Sequence, residues 1–145
     1  MILISHRGNI NGRVIENENN PLYIDRALGK GYDVEIDVWY EDSKWYLGHD
    51  NPQYEIELDY LKNQSLWCHA KNIEALYEMT SHSDIHSFWH QEDDVTLTSR
   101  NFIWTYPGKK LTEASICVLP EKNNEISKKV LGICSDFVVY YNKGK

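Results

Sequence analysis

Long apolar runs are missing from this 145-residue chain, and none approaches the roughly 20 residues of a membrane-spanning helix. A transmembrane segment is therefore not expected. The opening MILISHRG lacks the basic start and the length of a secretory signal, which predicts a cytoplasmic protein. Cysteine is sparse. Cys68, Cys117 and Cys134 are widely spaced and odd in number, with no CxxC, so a disulfide framework is excluded and reduced core thiols are expected. The four prolines (Pro21, Pro52, Pro107, Pro120) are scattered and mark no linker, so residues 1–145 read as a single domain. No segment is low in complexity and no repeat is evident. Positive charge is also short: 15 Lys and Arg stand against 22 Asp and Glu, for a net charge of −7. A nucleic-acid partner is not expected, because counterion release needs clustered cations. The same acidity suits a protein that collects a metal ion.

Aromatic residues, by contrast, are plentiful: five Trp, ten Tyr and three Phe, or 12% of the chain, enough to bury much area with few covering elements. Short β-rich runs recur at Met1–Ser5, Asp33–Tyr40, Leu66–Ala70, Ile85–His90, Val95–Thr98, Phe102–Tyr106, Ser115–Leu119 and Asp136–Tyr141. Asp33–Tyr40 alternates strictly, and Trp45–Gly48 is placed to pair with it as a hairpin across Glu41–Lys44. Helical patterns fall between them. In Pro21–Gly31, Leu22, Ala27 and Leu28 form one stripe; in Asn72–Thr80, Ile73, Leu76 and Tyr77 follow an Asn N-cap; a third pattern covers Glu121–Cys134. Eight strands alternating with helices make a TIM-type (βα)8 barrel arithmetically possible. Such a barrel typically takes about 250 residues, and here each unit averages only about 18. The expectation is thus an α/β barrel, shortened, with several covering helices missing or reduced.

In parallel α/β folds functional groups gather where strands end. Those ends carry His6-Arg7-Gly8, Glu35 with Asp37, His49-Asp50, His69 with Lys71, and His90. Glu35 and Asp37 share a strand face about 6.5–7 Å apart, and two such carboxylates repel unless a cation lies between them. A hard divalent ion such as Mg²⁺ or Ca²⁺ answers that need; a solvent-facing polar edge is the plainer alternative. His6, Arg7 and Gly8 offer an acid/base group, an anion-binding guanidinium and a backbone turn near a ligand. Trp104, Tyr106 and Trp89 are placed to flank an alcohol or sugar-like group, although such residues more often serve core or rim packing.

The ordered set HRG, EN (Glu18-Asn19), ALGKGYD, VEIDVWYED and LGHD resembles the glycerophosphodiester phosphodiesterase family, strongly over residues 1–52. Fainter similarity continues through WCHAKN (67–72) and ICSDFVV (133–139). The family belongs with the phosphatidylinositol phospholipase C-like phosphodiesterases, so the resemblance implies a TIM barrel. It also implies His6 and His49 as the general acid/base pair, Glu35 and Asp37 as metal ligands, and Arg7 and Lys71 beside the phosphate. Where the family has a third ligand, a Glu, this chain has His69. An imidazole there shifts preference from Mg²⁺ or Ca²⁺ toward Mn²⁺ or Zn²⁺, unless water fills the position instead. The threonine usual after EN is Asn20. The expected activity is metal-dependent cleavage of a small glycerophosphodiester, through a cyclic phosphate if an internal hydroxyl attacks. The alternative is a non-catalytic phosphate-ester-binding or assembly protein on a degenerate barrel. A homo-oligomer that shields the sparsely covered sheet is compatible with either.

Overall fold

The computed structural model describes residues 1–123 and 129–143. Its strands are β1 (Ile2–His6), β2 (Asp33–Glu41), β3 (Lys44–Leu47), β4 (Tyr54–Ile56), β5 (Leu66–Ala70), β6 (Ser87–Phe88), β7 (Val95–Leu97), β8 (Ile103–Thr105), β9 (Ser115–Val118) and β10 (Gly132–Ser135). The helices are α1 (Pro21–Gly29) and α2 (Ile73–Thr80), with 3-10 turns elsewhere. All ten strands belong to one mixed sheet, ordered β4-β3-β2-β1-β10-β9-β8-β7, with β5 pairing to β2 and β6.

This architecture overturns the expected (βα)8 barrel. The sheet is a curled half-barrel, and among the described residues only two α-helices cover it. Three connections are antiparallel hairpins or meanders: β2–β3, β3–β4 and β7–β8 cannot be strand-helix-strand units. The links around 91–94 and 107–113 are turns too short to cross a sheet face as a helix. The edges at β6 and β7 form no ladder; they meet through Ser99 N donating to Ser87 O (2.8 Å) and Thr96 Oγ1 donating to Trp89 O (2.9 Å).

Two apolar layers hold the sheet. Outside it, α1 and α2 cover β2 and β5, burying Ile24, Ala27, Ala75 and Met79 against Val34, Ile36, Val38 and Cys68. Inside the curl, Trp67, Phe88, Trp104, Ile4, Ile116 and Cys134 form a second, aromatic cluster. Alternation on β2 explains the division: Val34, Ile36 and Val38 face out, while Glu35 and Asp37 face in. All three cysteines are buried, as a reading of core thiols requires.

Three other expectations need correction. The pattern over Glu121–Cys134 is not one helix: Pro120–Lys122 is a 3-10 turn, β10 begins at Gly132, and residues 124–128, Ile126 among them, lie outside the described residues. The expected strand Asp136–Tyr141 is replaced by a 3-10 turn at Val138–Tyr141, the strand having formed just before it. The helix stripes are also turned. Ala27 is buried and Leu28 and Leu76 pack against the core as expected, but Leu22, Ile73 and Tyr77 are exposed, and Ile24, Ala75 and Met79 complete the buried faces.

Candidate functional site

The C-terminal ends of β1, β2, β5 and β10 bring the charged residues together. After β1 the chain turns sharply, with Arg7 at φ +56° and Gly8 at φ +93°. A Cβ on Gly8 would meet Tyr23 Cδ1 at 2.6 Å, so a residue without a side chain is needed there. The turn is tied down by Arg7 N donating to Glu35 O (2.9 Å) and Asn19 N donating to Arg7 O (3.1 Å). Arg7 thereby lays its guanidinium across the sheet end. Its Nε lies 2.9 Å from Asp37 Oδ2 and its Nη1 donates to Glu18 Oε2 at 3.1 Å. Arg13 Nε also donates to Glu18, at 2.8 Å. Burial would raise the Glu18 pKa, but Arg13, Arg7 and Asn9 override it and hold the carboxyl low.

Asp37 is fully buried. Asn19, itself at φ +63°, grips it twice, donating Nδ2 to Asp37 Oδ2 (2.8 Å) and accepting from Asp37 N (2.9 Å). Burial opposes ionisation here, yet contacts with His49 and His69 and the charge of Arg7 hold Asp37 well below the usual carboxylate range. On the neighbouring strand, His69 Nδ1 lies 3.3 Å from Asp37 Oδ1 and 3.6 Å from Glu35 Oε1. Its Nε2 is 2.7 Å from the His90 carbonyl, to which it donates. Burial would depress the His69 pKa, but the two carboxylates raise it to about 9.

The metal-binding expectation can be tested on these atoms. Ligand atoms of Glu35, Asp37 and His69 all lie within 4.8 Å of one another. Glu35 Oε2 and Asp37 Oδ1 are buried and take no hydrogen bond from the described residues, an unusual arrangement for carboxylate oxygens. The bond from His69 Nε2 to a backbone carbonyl fixes the ring with Nδ1 toward both acids, a recurrent way of orienting an imidazole ligand. This donor set fits a divalent cation.

The two other expected histidines each approach one of the paired carboxylates. His6 Nδ1 is 2.7 Å from Asp136 Oδ1, and its Nε2 points toward Glu35 Oε2 at 3.8 Å. Burial would raise the Asp136 pKa, but His6 and Asn9 keep it low, so a carboxylate faces the ring. His49 Nε2 is 3.5 Å from Arg7 Nη2, its Nδ1 is 3.4 Å from Asp37 Oδ2, and its side chain is 39% exposed. Lys71 Nζ reaches within 4.0 Å of Asp37 Oδ1.

His6, Arg7, Glu35, His49, His69 and Lys71 line one cavity of about 470 Å³, with Asp37 directly beneath. Trp104 lines it too, but its ring is 97% buried in the interior cluster, 4.8 Å from Phe88. Sequence reasoning missed four contributors. Asp136 orients His6; Asn9 donates to both Asp136 (2.9 Å) and Glu18 (3.1 Å); Glu18 and Asn19 anchor Arg7 and Asp37. The pair EN at 18–19 and the aspartate after GICS were visible signals that had been given no role. Comparison with protein-family models, curated proteins and solved structures returns no match for this chain.

Among the described residues no helix is long and apolar enough to cross a membrane.

Proposed function

We propose that this protein is a metal-dependent phosphodiesterase acting on a glycerophosphodiester-like substrate, akin in its site chemistry to the glycerophosphodiester phosphodiesterases. The observation that carries this reading is that His6 and His49 line one cavity with Arg7, each within 4 Å of one of the paired carboxylates Glu35 and Asp37. Glu35, Asp37 and His69 are the residues that would hold the metal, which supplies Lewis-acid charge to the phosphoryl oxygens when bound.

His6 suits the general base. Asp136 accepts from its Nδ1, which leaves Nε2 as the proton-accepting nitrogen on the cavity side. It takes the proton of the substrate hydroxyl that attacks phosphorus. The bond from phosphorus to the leaving alcohol breaks, and His49 gives that oxygen a proton. His49 is left neutral by that transfer and His6 protonated, with the His49 side chain 39% exposed to the solvent that supplies the next water. Water opening the cyclic phosphate uses the same two groups in reversed roles. Arg7 and Lys71 place positive charge where negative charge grows on the phosphoryl oxygens.

The test is phosphorus NMR of glycerophosphoglycerol, glycerophosphoinositol and glycerophosphocholine after chelation, with Mg²⁺, Ca²⁺, Mn²⁺ or Zn²⁺ restored separately. Metal-restored glycerol phosphate, or a persistent cyclic phosphate, is the expected result. Unimpaired turnover in the His6→Ala/His49→Ala double variant would overturn the assignment. No product from any diester with any metal would transfer it to a phosphate-ester-binding protein.

A further inference from the structure

The wall of the cavity away from the carboxylates holds a polar group that the proposed chemistry does not use. His90 follows β6, is 92% buried and lines the cavity, yet neither ring nitrogen bonds any described residue. Its backbone is well fixed, since its carbonyl accepts from His69 Nε2 at 2.7 Å. Its ring is held 5.0 Å from that of Tyr106. Buried polar atoms are nearly always partnered, and two such atoms on the ring of a cavity-lining residue point to a ligand that supplies their partners.

We infer that His90, with Tyr106 and Trp104, forms the subsite for the leaving alcohol, and that this alcohol is an uncharged polyol rather than an amine or choline. The inference rests on the phosphodiester reading of the adjoining site. A neutral imidazole presents one donor and one acceptor, and vicinal hydroxyls present both in return. The Tyr106 ring, 43% exposed, supplies flat apolar surface for the carbon face of a glycerol- or sugar-like group. The charge of the lining side chains on this wall favours a neutral alcohol. His90, Gln91, Trp104, Tyr106 and Lys122 line this wall without one acidic side chain, and Lys122 adds a positive charge. The carboxylates of the cavity, Glu35 and Asp136, are engaged with His6 and His69, and Asp93, whose charge also reaches His90, stands outside the lining.

The experiment compares substrates that differ only in the alcohol. In the metal-loaded protein, kcat/KM for glycerophosphoinositol or glycerophosphoglycerol should exceed that for glycerophosphocholine by about tenfold, the worth of one or two good hydrogen bonds. His90→Ala should erase that preference mainly through KM for the polyol diesters, and His90→Asn, which keeps a donor and an acceptor, should restore part of it. Equal use of the choline diester by the wild type, or an equal loss on every diester in His90→Ala, would overturn the subsite. Calorimetric binding of inositol 1-phosphate against phosphocholine separates this result from failure of the catalytic reading. A polyol preference that His90→Ala removes upholds the subsite even without turnover, and equal binding of the two overturns it. Circular dichroism of both variants identifies any that fails to fold.

Discussion

Two buried imidazoles inside the same curled sheet are driven in opposite directions. His69, at the end of β5, sits between Glu35 and Asp37, and their charge lifts its pKa to about 9 against the cost of burial. His86, just before β6, sits among rings, 4.2 Å from Trp67 and 5.6 Å from Phe102. Burial, helped by the charge of Arg100, pushes its pKa down to about 4. His86 Nε2 is 2.7 Å from Thr98 Oγ1 and pairs with no acid among the described residues. The carboxylates favour a positive charge at one end of the interior, and burial disfavours it at the other. The curl therefore has a charged end that costs stability and suits chemistry, and an aromatic end that supplies the packing.

Substitutions at the two ends should separate cleanly. His6→Ala removes a proton-transfer group and should lower turnover about a hundred- to ten-thousand-fold, with little change in Tm. Asp136→Asn should lower it less and shift the pH–rate profile, because the ring remains but loses the carboxylate that orients it. At the aromatic end the pattern inverts. Trp67→Ala, which removes a side chain packed against Trp104, Phe102 and His86, should cost about 3–5 kcal/mol of stability by denaturant unfolding. A variant at the aromatic end that abolishes turnover without loss of stability would break the comparison.

The charged end can be retuned rather than destroyed. His69→Glu exchanges the imidazole for a third carboxylate, so preference should move from Mn²⁺ or Zn²⁺ toward Mg²⁺ or Ca²⁺. Apparent affinities, read from the Tm gained with each ion, should change about 10–100-fold. An unchanged order of metals would place His69 outside the coordination sphere.

His86 predicts a pH effect of smaller size. Its folded pKa lies below the ordinary value of 6.5, so the unfolded chain binds its proton first as pH falls. The stability contributed by neutral His86 is present above pH 6.5 and is lost progressively as pH drops toward 4. His86→Gln, which retains a donor for Thr98, should flatten that part of the stability profile. An identical slope in the variant would assign it to other groups.

The residues that were easiest to read are those whose role is set by the strand that bears them. DVEIDV announced its two faces through strict alternation, and β2 keeps them, with valines and isoleucine under the helices and acids within. His6, Arg7, His49, His69 and Lys71 were placed at strand ends by the same reasoning, and the fold brings them to one cavity. What sequence could not supply were relations between distant segments. Asp136 meets His6 across 130 positions, and only the parallel pairing of β1 with β10 makes them neighbours. GICS was read as part of a helix because a short, wholly buried strand has no alternation to display. Gly132 there has Ile116 Cδ1 and Ile2 Cβ within 2.9 Å of where a Cβ would stand, a close approach invisible in one dimension. The barrel expectation failed for a related reason: it counted Val95–Thr98 and Phe102–Tyr106 as separate parallel units, whereas β7 and β8 pair antiparallel; the expected hairpin of β2 with β3 did form.

Helix faces were misread by a subtler margin, and the smallest predicted effect follows from it. The sequence pattern of α2 put Ile73, Leu76 and Tyr77 on the core side because they are its largest apolar residues. Asn72 overrides that choice. Its side chain caps Ala75 N (3.1 Å) while bonding the backbone of Tyr40 in both directions (3.2 and 2.9 Å), which fixes how the helix starts against β2. From that anchor Ala75 and Met79 turn inward, and Ile73 and Tyr77 remain 64% and 69% exposed. Ile73→Ser and Tyr77→Ser should therefore change stability by no more than about 0.5 kcal/mol, since serine is close to both in helix propensity. Met79→Ala, on the face that sequence passed over, should cost about 2–5 kcal/mol. Reversal of that order in urea unfolding would mean that α2 is rotated from the position its cap dictates.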